Sequence, residues 1–164
     1  MHGYRVVPID PIFAAEVRQT GLAPGYGHPA HAELATGYGP CRTCLRPFVA
    51  DEERRILVTY DPFAGREPFP LPGPIYIHER TCAAYAEADR FPEALRFIPL
   101  TLNGYAHGRR LLGQVRIEDG ELDEAVDRLF GDPRIDYVHV RNTEAGCFIA
   151  HLDRADASVA SATQ

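Results

Sequence analysis

Hydrophobic and polar positions alternate along several short stretches of the chain and follow helical spacing in others. Tyr4–Val7 reads as a strand. Asp10-Pro11 then opens a helix, with Asp10 as cap and Pro11 in the first helical position, and Gly21 closes it. Residues 22–40, rich in Gly, Pro, His and Tyr, lack a sustained period and predict a long loop with one short strand near Leu34. Arg55–Tyr60 is a β-branched and aromatic run ended by Asp61-Pro62, hence a strand. Residues 61–74 are Pro-rich and predict an extended loop, followed by a strand at Ile75–His78.

Thr81 is placed to cap a helix over Cys82–Asp89, and Pro92 to restart a helical turn through Leu95. Ile98–Tyr105 and Leu111–Ile117 read as strands joined by Ala106-His-Gly-Arg-Arg. Leu122, Ala125, Val126, Leu129 and Phe130 fall at i, i+3, i+4, i+7 and i+8, with Gly131 just after, which is the strongest helical signal in the chain. Tyr137–Arg141 and Cys147–Leu152 alternate around a loop containing Gly146 and predict a hairpin. The fold class expected is α+β: a single domain over 1–155, a mostly antiparallel sheet with about three helices and long Pro/Gly-rich loops. Residues 156–164, small and polar, are expected to form a disordered tail.

Several of these segments carry ordered motifs. Gly39-Pro-Cys-Arg-Thr-Cys-Leu-Arg, Ile56-Leu-Val-Thr-Tyr-Asp-Pro-Phe and Gly73-Pro-Ile-Tyr-Ile-His come first, then Asn103-Gly-Tyr, then Tyr137-Val-His-Val-Arg-Asn…Gly-Cys-Phe. In that order they resemble a bacterial family catalogued as domain of unknown function 1203, over roughly residues 38–155. The resemblance implies a shared fold and no activity.

Candidate chemistry comes from the residues themselves. Cys41-Arg-Thr-Cys44 and His78-Glu-Arg-Thr-Cys82 form two close pairs of soft ligands. A C-x2-C turn aims two thiolates at one centre, and a second pair completes a tetrahedron, so zinc is the expected cofactor. The four ligand atoms are then expected about 3–4.5 Å apart. A knuckle, strands and a ligand in the first turn of a helix would resemble the arrangement of treble-clef zinc domains. The competing reading makes Cys41 and Cys44 a redox dithiol, although Pro47 disfavours the helix that would activate one thiol.

A hairpin with Arg141 opposite Cys147 sets His139 opposite Ile149 and Tyr137 opposite His151. Tyr137, His139, Arg141, Cys147 and His151 would then project from one face, with Val138, Val140, Phe148, Ala150 and Leu152 on the other. His139, Arg141 and Cys147 are the candidate catalytic residues of a metal-independent small-molecule enzyme. Tyr105, His107 and Arg141 are candidates for binding a small anionic ligand. An interaction module without chemistry of its own is the third class.

Charge and composition narrow the partners. All 17 basic residues are Arg and the net charge is −6, against a broad nucleic-acid footprint. No apolar run approaches the ~20 residues of a membrane span. The N-terminus lacks a secretory pattern, so a cytoplasmic location is expected. Glycine-rich phosphate loops, G-x-S-x-G and H-E-x-x-H are absent.

Overall fold

The computed structural model describes residues 3–118 and 120–155; the expected tail at 156–164 lies outside them. Among these residues, eight strands form two antiparallel sheets. β1 (Tyr4–Val7), β8 (Phe148–Arg154), β7 (Tyr137–Asn142), β5 (Leu100–Ala106) and β6 (Arg110–Ile117) make a five-stranded sheet in that order. β2 (His31–Leu34), β3 (Arg54–Tyr60) and β4 (Gly73–His78) make a three-stranded sheet. The helices are α1 (Pro11–Thr20) and α2 (Leu122–Phe130), with a single 3-10 turn at Glu93–Leu95.

The protein is therefore mostly β, which corrects the balanced α+β class and its three helices. The missing helix is the one expected over Cys82–Asp89. Its backbone bonds elsewhere instead of to itself: Tyr85 N–H donates to Thr43 O at 2.9 Å, and Val6 N–H reaches Ala88 O at 2.6 Å. Bonds to the knuckle and to β1 hold this segment irregular, and local propensity yields to them.

Each helix forms where its caps direct it. The Asp10 carboxylate accepts from Ile12 N–H at 2.8 Å, Pro11 starts α1, and Gly21 ends it at φ 68°. Ala14 and Val17 turn inward and join Ile56, Val58, Ile75 and Ile77 in a core under the smaller sheet. α2 buries Leu122, Ala125, Val126 and Leu129 on one face of the larger sheet, against Leu100, Leu102, Val138, Val140 and Leu152. Its close approach relies on two facing glycines. Gly104 pairs with Gly113 across β5 and β6, and a Cβ at Gly113 would stand 2.8 Å from Leu129 Cδ2.

The β7–β8 hairpin departs from the expected register. Val138 pairs with Leu152, His139 with His151 and Val140 with Ala150, but Arg141 pairs with Phe148. Ile149 is the extra residue of a bulge, and it reverses the phase of β8 at that point. Ile149 consequently enters the α2-side core, where Phe148 was expected. Phe148 swings to the opposite face, joins the core of the smaller sheet and lies 4.9 Å from the His139 ring. Tyr137, His139, Arg141 and His151 still share a face, because the remaining shift is by two residues.

Candidate metal centre and anion cavity

Cys41 and Cys44 sit on a tight turn closed by a bridge between Pro40 and Pro47. Leu45 N–H donates to Cys41 O at 2.8 Å and Cys41 N–H to Arg46 O at 3.0 Å. Leu45 takes φ 57°, a left-handed conformation rare outside glycine, and is held there by full burial of its side chain. His78 ends β4. Cys82 follows in the irregular segment, not in a helix as the sequence predicted, so the resemblance to a treble clef stops at the third ligand.

The four residues converge, and their ligand atoms all lie within 4.8 Å of one another. Cys41 Sγ is 3.8 Å from Cys82 Sγ, and Cys44 Sγ is 3.5 Å from His78 Nδ1. A tetrahedron with 2.3 Å metal–sulfur bonds has an edge of about 3.8 Å. The widest spacing slightly exceeds the expected range, but the buried Cys3His cluster can hold a metal ion.

The surroundings favour thiolate at Cys41, whereas burial pushes the Cys82 thiol up. Arg18, in the last turn of α1, donates from Nε to His78 O at 3.0 Å and from Nη2 to Cys82 Sγ at 3.7 Å. His78 N–H donates to Cys41 Sγ at 3.3 Å. Cys41 is pulled down to about 7, first by a hydrogen bond from the Cys44 thiol, then against burial by the Cys44 and His78 backbone N–H groups. The same hydrogen bond, with burial, pushes Cys44 up to about 12. One thiolate sharing a proton with its neighbour is what such a pair does before a cation displaces that proton. His78 turns Nδ1 to the sulfurs, while buried Nε2 makes no hydrogen bond. Glu53 Oε1 stands 3.3 Å from Nε2 but off its donor direction.

A cavity of about 190 Å³ opens on the other face of the larger sheet. Tyr105, His139, Arg141 and Phe148 form its floor, Pro62, Phe63 and Pro72 from the loop between β3 and β4 its roof, and Cys147 its rim. Arg109 fastens that roof, donating to Phe69 O at 2.7 Å with its guanidinium over the Phe63 ring. The 61–72 loop thus encloses the polar face of the hairpin, with His139 only 1% exposed. Arg141 makes no ion pair among the described residues; with the Asn103 amide turned to present its oxygen, Arg141 Nε and Nη2 donate to it at 2.9 and 3.2 Å. His107 lies exposed on the β5–β6 turn, outside the cavity lining. Cys147 precedes β8 in the loop, with Sγ 3.7 Å from Ala145 O.

Sequence reading gave no role to Glu53, Arg18, Arg66 or Asp153. Asp153 was legible in principle, because it shares a strand face with His151 two residues earlier. Burial first, then the charges of His151, Arg66 and Arg141, drive His139 down to about 2. The unfolded chain therefore binds a proton at His139 as pH falls below 6.5, while the folded protein does not. The stability from this site is complete above that pH and is lost below it. Denaturant unfolding between pH 7 and 5 is expected to show a loss with acid that is shallower in His139→Gln. Equal slopes in both proteins would exclude a buried neutral His139.

The sequence model described as Protein of unknown function (DUF1203) matches residues 38–154. No curated protein and no solved structure matches. Among the described residues, no helix is long and apolar enough to cross a membrane.

Proposed function

The chain belongs to this family of unknown function, so membership supplies no activity, and we propose from the site itself that the protein is a zinc-stapled binding domain. The observation that carries the metal reading is the convergence of Cys41, Cys44, His78 and Cys82 within 4.8 Å. Three thiolates and an imidazole suit zinc, and four protein ligands leave no open position, which makes the centre structural. Zinc there would join three parts of the chain: the knuckle, the end of β4 and the segment at 79–91. Elemental analysis of untagged protein is expected to give one zinc per chain, with Cys147 as the single readily titrated thiol. Metal-free protein with a Cys41–Cys44 disulfide would replace this reading with the redox one.

Binding is assigned to the cavity, and one observation supports it: Arg141 faces an enclosed, largely apolar space with no carboxylate beside it. An unpaired guanidinium offers a planar fork to a small carboxylate or phosphate ester. Titration with benzoate and phenyl phosphate is expected to show binding that weakens sharply in Arg141→Ala. Arg134→Ala should leave it intact, because Arg134 is exposed and already paired with Asp132 at 2.7 Å. Equal loss in both variants, or no binding to the wild type, would return Arg141 to a structural role.

A further inference from the structure

His139 and His151 face each other across β7 and β8. His139 Nε2 lies 3.2 Å from His151 Nδ1, and His151 Nε2 lies 2.7 Å from Asp153 Oδ1. The second contact fixes the protons along the row. The Asp153 carboxyl is held below its ordinary range, first by this hydrogen bond, so it is an acceptor and His151 Nε2 carries hydrogen. In neutral His151, Nδ1 is then an acceptor, and His139 Nε2 must donate to it. His139 Nδ1 is left without a proton, on a side chain that lines the cavity.

The charges around this row come from every neighbouring element. Arg66, from the loop roofing the cavity, places Nη2 3.2 Å from His151 Nε2 and its guanidinium over the Tyr137 ring. Because that nitrogen already donates to Asp153, Arg66 contributes charge there. Arg5 on β1 stands opposite Asp153 in the strand register and adds positive charge there, and Arg141 stands on the cavity side. Burial of His139 first, then His151 and the guanidiniums of Arg66 and Arg141, disfavour a proton on its ring, as its lowered pKa reflects. The row leads outward to a groove lined by Arg66, His151 and Asp153, where the Asp153 side chain is 38% exposed.

We propose that the cavity is a proton-transfer site for a small monocarboxylate with an acidic C–H beside a carbonyl, in which His139 is the base and His151 and Asp153 position it. This rests on the reading of Arg141 as an anion anchor. One cation among apolar walls selects one negative charge, and the space excludes a large ligand. The donors of Arg141 not used on Asn103 can take a carboxylate oxygen and the adjacent keto oxygen together. The C–H bond then breaks, its proton passes to His139 Nδ1, and its electron pair moves into the carbonyl to give an enolate. His139 Nε2–H moves to His151 Nδ1, and His151 Nε2–H to Asp153, which exchanges with water in the outer groove. Reprotonation runs the same path backward, so no oxidant or co-reactant is required. The bound carboxylate offsets the Arg141 charge and so raises the basicity of His139 at the moment it is needed.

The test is exchange of the methyl protons of pyruvate in D2O, followed by proton NMR with the full chain as purified. The wild type is expected to accelerate exchange, and His139→Gln to lose roughly 10²–10⁴-fold of that rate. Asp153→Asn should lose less and displace the pH profile, which a purely structural role would leave in place. Nitrogen-15 spectra of the wild-type imidazoles should show His139 protonated at Nε2, a readout independent of whether the variants fold. An Nδ1–H tautomer at His139, or exchange equal in wild type and His139→Gln, overturns the inference. Benzoate binding without pyruvate exchange overturns proton transfer alone and leaves the anion site standing. A wild type that neither binds benzoate nor exchanges pyruvate removes both.

Discussion

Cys44→Ser is expected to release the metal and to cause the largest stability loss of any single substitution in this protein. Structural zinc provides about 10–16 kcal/mol of apparent binding free energy in zinc-finger peptides. That compares with roughly 5–15 kcal/mol for the whole stability of a typical domain, so even part of it exceeds the cost of a core cavity. The segments that meet at the centre are irregular, held by separate backbone hydrogen bonds and not by a continuous ladder. The knuckle has one bridge at its neck, and the irregular stretch after Cys82 is tied back through Tyr85 N–H to Thr43 O. Removing zinc leaves buried Cys41, Cys44 and His78 as a cluster of polar groups, with His78 Nε2 already unsatisfied.

Thermal melting with and without a strong chelator measures the effect, and hydrogen exchange at Tyr85 and Arg42 locates it. Acid should act in the same direction, because zinc competes with protons for the three thiolates and the imidazole. Chelation is therefore expected to proceed more readily at pH 5.5 than at pH 8. Cys147→Ser is the control: it lies outside the cluster and should keep both metal and melting temperature. If Cys44→Ser and chelated wild type melt together with untreated protein, the centre is not a staple.

Leu129→Ala is expected to cost about 2–5 kcal/mol by leaving a cavity between α2 and the larger sheet. Leu129 is 6% exposed, and its Cδ2 occupies the space over Gly113 that a side chain there would fill. Neither partner can collapse into the gap, since Gly113 has no side chain and β6 is fixed by its pairing with β5. Metal content should be unchanged, because Leu129 and the ligands belong to separate cores. Denaturant unfolding should show a lower midpoint at constant slope. A change within about 0.5 kcal/mol, as for a surface substitution, would mean that α2 does not cover this sheet.

Local patterns that satisfy themselves were legible in the chain. Asp10, Pro11 and Gly21 bound α1 because a cap, a fixed φ and a left-handed terminator act within a few residues. The α2 stripe and the alternation of β3, β5, β6 and β7 were equally readable, since burial of one face imposes a period. The metal ligands were legible for a different reason: Cys and His at close spacing are chemically specific wherever the chain carries them.

Tertiary structure decided what depends on distant partners. The expected helix at 82–89 had adequate propensity, but its backbone groups are claimed by Thr43 and Val6. The bulge at Ile149 sends Phe148 to the opposite face and closes one wall of the cavity. Alternation along β8 cannot announce it, because both residues are large, apolar and buried. Burial of the His139 face came from the Pro-rich loop, which lacks a period and reveals no destination. The sequence by itself thus determined two helices, most strands and a soft-ligand set. Which polar residues became enclosed together was settled only when loop and sheet met, because enclosure is a property of both surfaces.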